Sequence, residues 1–191
     1  MTNKQRIFLI HGWTGHANKD WFPWGKEVLT QRGYETTVPE MPDSDNPICK
    51  VWIDKMHQLI DPPKPNDILV GHSIGCLAVL RYLETLNENQ RVGKVILIAP
   101  WETLSDIAIE NENDRKIFKD WTQPPVNYSL IKTKVSSFVT LFSKDDPMVP
   151  FGKNQKLFAK KLNPQMVIVD KMGHFSQEDG VTELPQLLDL I

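Results

Sequence analysis

Three apolar residues, Ile68-Leu69-Val70, run straight into Gly71-His72-Ser73-Ile74-Gly75, and an apolar, helix-like segment from Cys76 to Leu83 follows without a loop. A chain patterned this way turns from strand to helix within a few residues, which lifts the serine hydroxyl onto a strained turn above the end of a parallel sheet. Glycine is needed at 71 and 75 because side chains there would collide with the neighbouring strand and helix. The Gly-x-Ser-x-Gly spacing alone is weak, recurring by chance in roughly one chain in fifteen of this size. Its weight comes from its strand-to-helix setting, and from an Asp and a His that follow at expected strand ends.

The rest of the chain alternates in the same way. Arg6 to Ile10 reads as a buried strand ended by His11-Gly12. Trp24 to Gln31 has helical spacing, with Gly33 placed to cap it. A second strand over Tyr34 to Val38 stops at Pro39, and a helix over Val51 to Ile60 stops at Pro62-Pro63. The third strand, Asp67 to Gly71, leads into a helix over Ile74 to Leu86. The fourth, Lys94 to Ala99, is stopped by Pro100. The fifth, Val135 to Phe142, precedes a helix over Phe151 to Leu162. Met166 to Val169 is the sixth, and Thr182 to Leu190 the last helix. Short apolar strands alternating with helical segments imply a mostly parallel sheet of about six strands with helices on both faces, a three-layer α/β/α sandwich. One domain is expected over residues 1–191. The irregular stretch 101–128 is acidic through Glu110-Asn111-Glu112-Asn113-Asp114-Arg115 and proline-rich at Pro124-Pro125. It reads as a short helical excursion over the strand ends, either a rudimentary lid or surface decoration.

Composition removes several classes of function. A chain of 191 residues can bury its core without staples. A net charge of -2, with acids and bases scattered together, gives no footprint for nucleic acid or an anionic membrane. The apolar run before His11 is too short for a signal-peptide core, nothing approaches a membrane span, and the cytoplasm is the expected compartment. Cys49 and Cys76 are too few and too far apart for a disulfide framework. No His, Cys, Asp or Glu pair has ligand spacing on one element, and no glycine-rich phosphate cradle is present, so neither a metal nor a nucleotide cofactor is expected.

In a parallel sheet, functional groups gather at the carboxyl ends of the strands. That edge would carry His11-Gly12, Ser73, Trp101, Asp145-Asp146 and His174. A serine hydroxyl is a poor nucleophile until a base takes its proton, and an imidazole can take that proton near neutral pH and return it to a leaving group. Ser73 is the candidate nucleophile and His174 the base. In Ser143-Lys144-Asp145-Asp146-Pro147 one aspartate would fix the imidazole tautomer; Asp146 is favoured, and Asp145 is the alternative. The developing oxyanion needs two donors. The Ile74 N–H is one, and the other comes from Trp13 or Thr14 in the loop after the first strand. Trp13, Trp101 and Phe175 are candidates to line an apolar acyl pocket. His11 and His72 read as scaffold residues near the site, Cys76 as core, and His16 and His57 carry no signal.

Together these residues resemble the α/β-hydrolase superfamily, and more closely the small, capless serine hydrolases grouped with retinoblastoma-binding protein 9. The resemblance spans the chain through Ile10-His11-Gly12-Trp13, Asp20-Trp21-Phe22-Pro23-Trp24, Met41-Pro42-Asp43, the Ser73 turn, Asp145-Asp146-Pro147-Met148-Val149-Pro150 and Gly173-His174-Phe175. It implies a minimal hydrolase sheet without a cap domain, cofactor-free hydrolysis, and a triad at Ser73, Asp146 and His174, in the chain order of that superfamily. The expected activity is cleavage of small carboxylic esters, thioesters or amides, with a small acyl substrate as partner. The alternative is a binding or regulatory protein on a hydrolase scaffold. Neither cysteine lies in a Leu-x-Cys-x-Glu sequence, so binding to a retinoblastoma-type pocket has no support.

Overall fold

Along β1 (Arg6–Ile10) the side chains alternate between two cores, Ile7 and Leu9 entering one and Phe8 and Ile10 the other. The same alternation runs through β3 (Ile68–His72), where Leu69 faces away from Ile68 and Val70, and through β4 (Val92–Ile98), where Val95 and Leu97 oppose Ile96 and Ile98. Strands apolar on both sides must be covered on both sides, and helical crossovers between parallel strands supply the cover. A computed structural model describes residues 4–191; residues 1–3 of the expected domain lie outside the described residues. With β2 (Glu35–Thr37), β5 (Val135–Ser143) and β6 (Gln165–Val169) the sheet runs β2-β1-β3-β4-β5-β6, and every pair is parallel.

On one face, α1 (Phe22–Gln31) and α7 (Gln186–Leu190) bury Phe22, Leu29, Leu187 and Leu190. The other face carries α2 (Cys49–Ile60), α3 (Ile74–Thr85), α4 (Glu112–Thr122), α5 (Tyr128–Lys132) and α6 (Phe151–Leu162), which contribute Trp52, Leu77, Trp121, Ile131 and Phe158. The result is a single-domain α/β/α sandwich on a six-stranded sheet. The strand order reverses at β1, so the loops after β1 and β3 meet at a crevice where such sheets hold their ligands. Among the described residues no helix is long and apolar enough to cross a membrane.

Two stretches depart from the sequence expectation. The last helix begins at Gln186 rather than Thr182, because Pro185 drives the residue before it out of helical backbone angles. Stretch 101–128 is better ordered than its polarity suggests. Asn111 caps α4 by accepting from the Asn113 and Asp114 N–H groups, while Asp114 accepts from the Asn111 N–H. Ile117 and Trp121, four residues apart on one helix face, are buried, and the Trp121 indole donates to the Pro47 carbonyl at 2.9 Å.

Candidate active site

β3 ends at His72 and α3 begins at Ile74, so Ser73 alone makes the turn, with φ 54° and ψ -122°. Such a backbone costs an ordinary L-residue about 1–3 kcal/mol and persists only where the surroundings impose it. Here the Ser73 N–H donates to the Ile98 carbonyl at 2.9 Å. A Cβ at Gly71 would lie 2.5 Å from the Gly75 carbonyl oxygen, and one at Gly75 would lie 2.6 Å from the His11 carbonyl oxygen. The turn is thus pressed between the first turn of α3 and the end of β1. Gly12 comes as close: a Cβ there would sit 3.2 Å from the Ser73 Cβ.

The loops after β5 and β6 bring the two other candidates together. His174 Nδ1 donates to Asp146 Oδ2 at 2.8 Å, with only 16% and 3% of the two side chains exposed. The other Asp146 oxygen accepts from the Met148 and Val149 N–H groups, each at 2.9 Å, so the carboxylate is held at both ends. Asp145 points elsewhere. Its Oδ1 accepts from the Ser143 hydroxyl at 2.5 Å and the Lys171 N–H at 2.9 Å, tying the end of β5 to the turn after β6. The Ser143 hydroxyl bond holds the Asp145 carboxyl below its ordinary pKa. The two neighbouring aspartates therefore have separate contacts, and only Asp146 meets the imidazole.

Two further groups hold His174: His72, expected from the sequence as a scaffold residue near the site, and Asp179, which the sequence reading did not single out. His72 Nε2 donates to the His174 carbonyl at 2.7 Å, and since a carbonyl only accepts, that nitrogen carries the proton. Burial, with the adjacent His174 acting in the same direction, pushes the His72 pKa down to about 3, and the ring stays neutral. Asp179 accepts from the His174 N–H at 2.8 Å, in the space a side chain at Gly173 would fill. The Ser176-x-x-Asp179 spacing is a capping-box signature, which signals the Asp179–Ser176 bond and not the bond to His174.

No hydrogen bond joins Ser73 to His174 in this resting state. Among the described residues one group bonds the Ser73 hydroxyl oxygen, the Trp101 indole N–H at 3.3 Å. Trp101 is 1% exposed and stacks on Phe118. Of the candidate oxyanion donors, the Thr14 N–H is taken by the Ser44 carbonyl at 2.8 Å. The Trp13 and Ile74 N–H groups have no protein acceptor among the described residues. Phe175 is a correction: its positive φ of 59° turns the ring under the sheet, where it is fully buried beside Val181 and Leu184 and lines no part of the site.

Ser73, His72, His174, Trp13 and Trp101 open onto a cavity of about 560 Å³, whose far wall is Leu104, Ile107, Ala108 and the start of α4. The first half of stretch 101–128, as far as Asp114, is thus a wall of the site. Asp20, Asp45, Glu110, Asp114, Glu178 and Asp179 line the cavity against one lysine and no arginine; that lysine, Lys19, is paired with Glu178 at 2.8 Å. Burial pushes the Asp20 carboxyl above its ordinary pKa. Among the described residues no group of three or more His, Cys, Asp or Glu side chains is arranged to hold a metal ion.

A family model described as serine hydrolase matches residues 7–191. The YdeN protein of Bacillus subtilis (strain 168) is 29% identical over 188 residues, covering 98% of this chain and 94% of that protein. Its crystal structure superposes with a TM-score of 0.88 at 28% identity, over 98% of this chain and 96% of that one. Serine hydrolase RBBP9 of Rattus norvegicus is 27% identical over 176 residues, 92% of this chain and 86% of that protein. Est1E of Butyrivibrio proteoclasticus, solved with ferulic acid bound, shares the fold with a TM-score of 0.72 at 15% identity, over 97% of this chain and 88% of that one.

Proposed function

This chain belongs to the serine hydrolase family and folds as a single-domain α/β-hydrolase, and on that premise we propose that it cleaves small carboxylic esters, thioesters or amides by acyl transfer to Ser73. The observation that carries the proposal is the Asp146–His174 hydrogen bond at 2.8 Å, in the same cavity as a serine on a left-handed strand-to-helix turn. With Nδ1–H committed to Asp146, His174 presents an unprotonated Nε2 as a base. The serine proton moves to that nitrogen as Oγ bonds the carbonyl carbon, and Asp146 offsets the imidazolium charge. Hydrogen bonds of this kind are often long in the free enzyme and tighten around substrate, which fits the open Ser73–His174 contact.

The two N–H groups without acceptors, Trp13 and Ile74, suit the oxyanion; Thr14 is already engaged. Each such donor is typically worth about 3 kcal/mol of barrier. His174 then returns its proton to the leaving alcohol, thiol or amine, and deprotonates the water that releases the acid. Every step uses groups of the chain itself and calls for no cofactor. The acidic lining disfavours anionic substrates, and Trp13 with the apolar Leu104, Ile107 and Ala108 suits a short neutral acyl group.

The test is intact-mass analysis after a fluorophosphonate probe, on wild type and Ser73→Ala, followed by a panel of p-nitrophenyl esters. One adduct on wild type and none on the variant is the expected result. No adduct on folded wild type would overturn the proposal and leave the binding-protein reading.

A further inference from the structure

We infer that Trp101 is a catalytic residue, its indole N–H serving as a hydrogen-bond donor to the serine oxygen that attacks and later departs. The inference rests on the acyl-transfer reading above. It follows from where the indole is held. Trp101 follows β4, its ring lies on Phe118 of α4 with centroids 5.7 Å apart and planes 11° apart, and its Nε1 is 3.3 Å from the Ser73 Oγ. The next two residues are pinned from α6 by the fully buried Asn154, whose Oδ1 accepts from the Glu102 and Thr103 N–H groups at 2.9 and 3.1 Å. The Asn154 amide in turn donates to the Thr103 carbonyl at 2.8 Å. Packing below and this buried clamp behind leave the indole little freedom to turn away.

An indole N–H only donates, so the Ser73 oxygen is the acceptor and its own proton is left for another group. In the resting state the bond is long and neutral, so it takes little from the nucleophile. It strengthens as that oxygen gains negative charge. During acylation the charge develops while the serine proton moves to His174 Nε2 and the oxygen–carbon bond forms. During deacylation that bond breaks, its electron pair stays on the serine oxygen, and the proton returns from His174. A donor at this oxygen therefore acts in both half-reactions. The Trp13 and Ile74 N–H groups serve the other oxygen, the one that comes from the substrate carbonyl.

Trp101→Phe keeps an aromatic ring over Phe118 and deletes the donor. The rates to measure on the full chain are the second-order constant for fluorophosphonate labelling and the kcat and KM for p-nitrophenyl acetate from pH 5 to 9. A hydrogen bond that gains charge in the transition state predicts a loss of about tenfold in labelling and in kcat. KM should stay within about twofold, and the pH midpoint of kcat should not move. Rates within twofold of wild type would overturn the donor role, as would a loss accompanied by a displaced midpoint, which would mean that the ring only packs the site. Should Trp101→Phe fail to fold, replacing the indole at 101 by benzothiophene keeps the ring shape, puts sulfur where the N–H was, and is read by the same two rates. A wild type that takes no probe overturns the acyl-transfer reading and this inference with it. A labelled wild type matched by the variants overturns this inference alone.

Discussion

Replacing Asp146 by Asn changes one oxygen to an NH2 group, and the surrounding hydrogen bonds dictate where that group must point. Oδ1 accepts two backbone N–H groups, from Met148 and Val149, at 2.9 Å each. An Asn that kept its oxygen there would aim its NH2 at His174 Nδ1, which then has to accept. The imidazole proton would move to Nε2, and His174 could no longer take the serine proton. Turning the amide over would restore the tautomer but leave the Met148 and Val149 N–H groups facing an NH2. At about 1–3 kcal/mol for each unsatisfied donor, the flipped state lies roughly 2–6 kcal/mol higher, a factor of about 30 to about 3 × 10⁴ in rate. The imidazolium also loses the carboxylate that offsets its charge, so a fall in kcat of about 10³–10⁴ is expected at pH 7.5. Asp145→Asn, which breaks no contact to His174, should cost less than about threefold. The assay is kcat for p-nitrophenyl acetate, with folding checked by thermal melts. Asp146→Asn activity within tenfold of wild type, or a larger loss in Asp145→Asn, would refute the tautomer argument.

Two further outcomes follow from packing and burial. Gly75→Ala should destabilise by roughly 3 kcal/mol or more, because its Cβ meets the rigid backbone oxygens of Ile10 and His11; a melt lowered by about 6–12 °C is expected. Gly152→Ala in α6, with nothing within 4 Å of the new Cβ, should be neutral or stabilising by up to about 1 kcal/mol, and equal melts for the two variants would count against the packed elbow. Buried His72 titrates near 3 in the folded chain and near its ordinary 6.5 when unfolded. Between those values the unfolded chain binds a proton that the folded one refuses. Stability should therefore be fully present above pH 6.5 and fall as the pH drops towards 3, by up to about 1.4 kcal/mol per pH unit. His11, also lowered by burial, acts in the same direction. Urea unfolding of wild type and His72→Gln at pH 7.5 and 5 should show a shallower acid loss in the variant, and parallel losses would mean that His72 is not the group refused.

Much of the site was legible because its signals are local. Gly71 and Gly75 sit where a strand must turn into a helix, short apolar runs stopped by Pro39 and Pro100 marked strands and their ends, and Pro62 marked the end of a helix. The start of the last helix was missed because Pro185 outweighed the apolar spacing around it. Stretch 101–128 read as polar excess. Its two buried anchors, Ile117 and Trp121, become recognisable only against the Pro47 carbonyl and Trp52, more than sixty residues away in the chain.

By itself the sequence determined which elements form and which residue types reach the carboxyl edge of the sheet, since periodicity and chain breakers act within a few residues of one another. Tertiary structure decided the contacts that turn on direction. Asp145 and Asp146 are neighbours of the same type, yet only one meets His174, because one is recruited to bind the turn after β6 and the other is held by the Met148 and Val149 N–H groups of its own loop. Trp101 and Phe175 are both aromatic residues near the ends of strands, and both looked like pocket walls. A positive φ sent Phe175 into the core, while packing on Phe118 and the Asn154 clamp brought the Trp101 indole to the serine. Spacing along a chain cannot encode such choices, because each depends on where a distant segment has already packed.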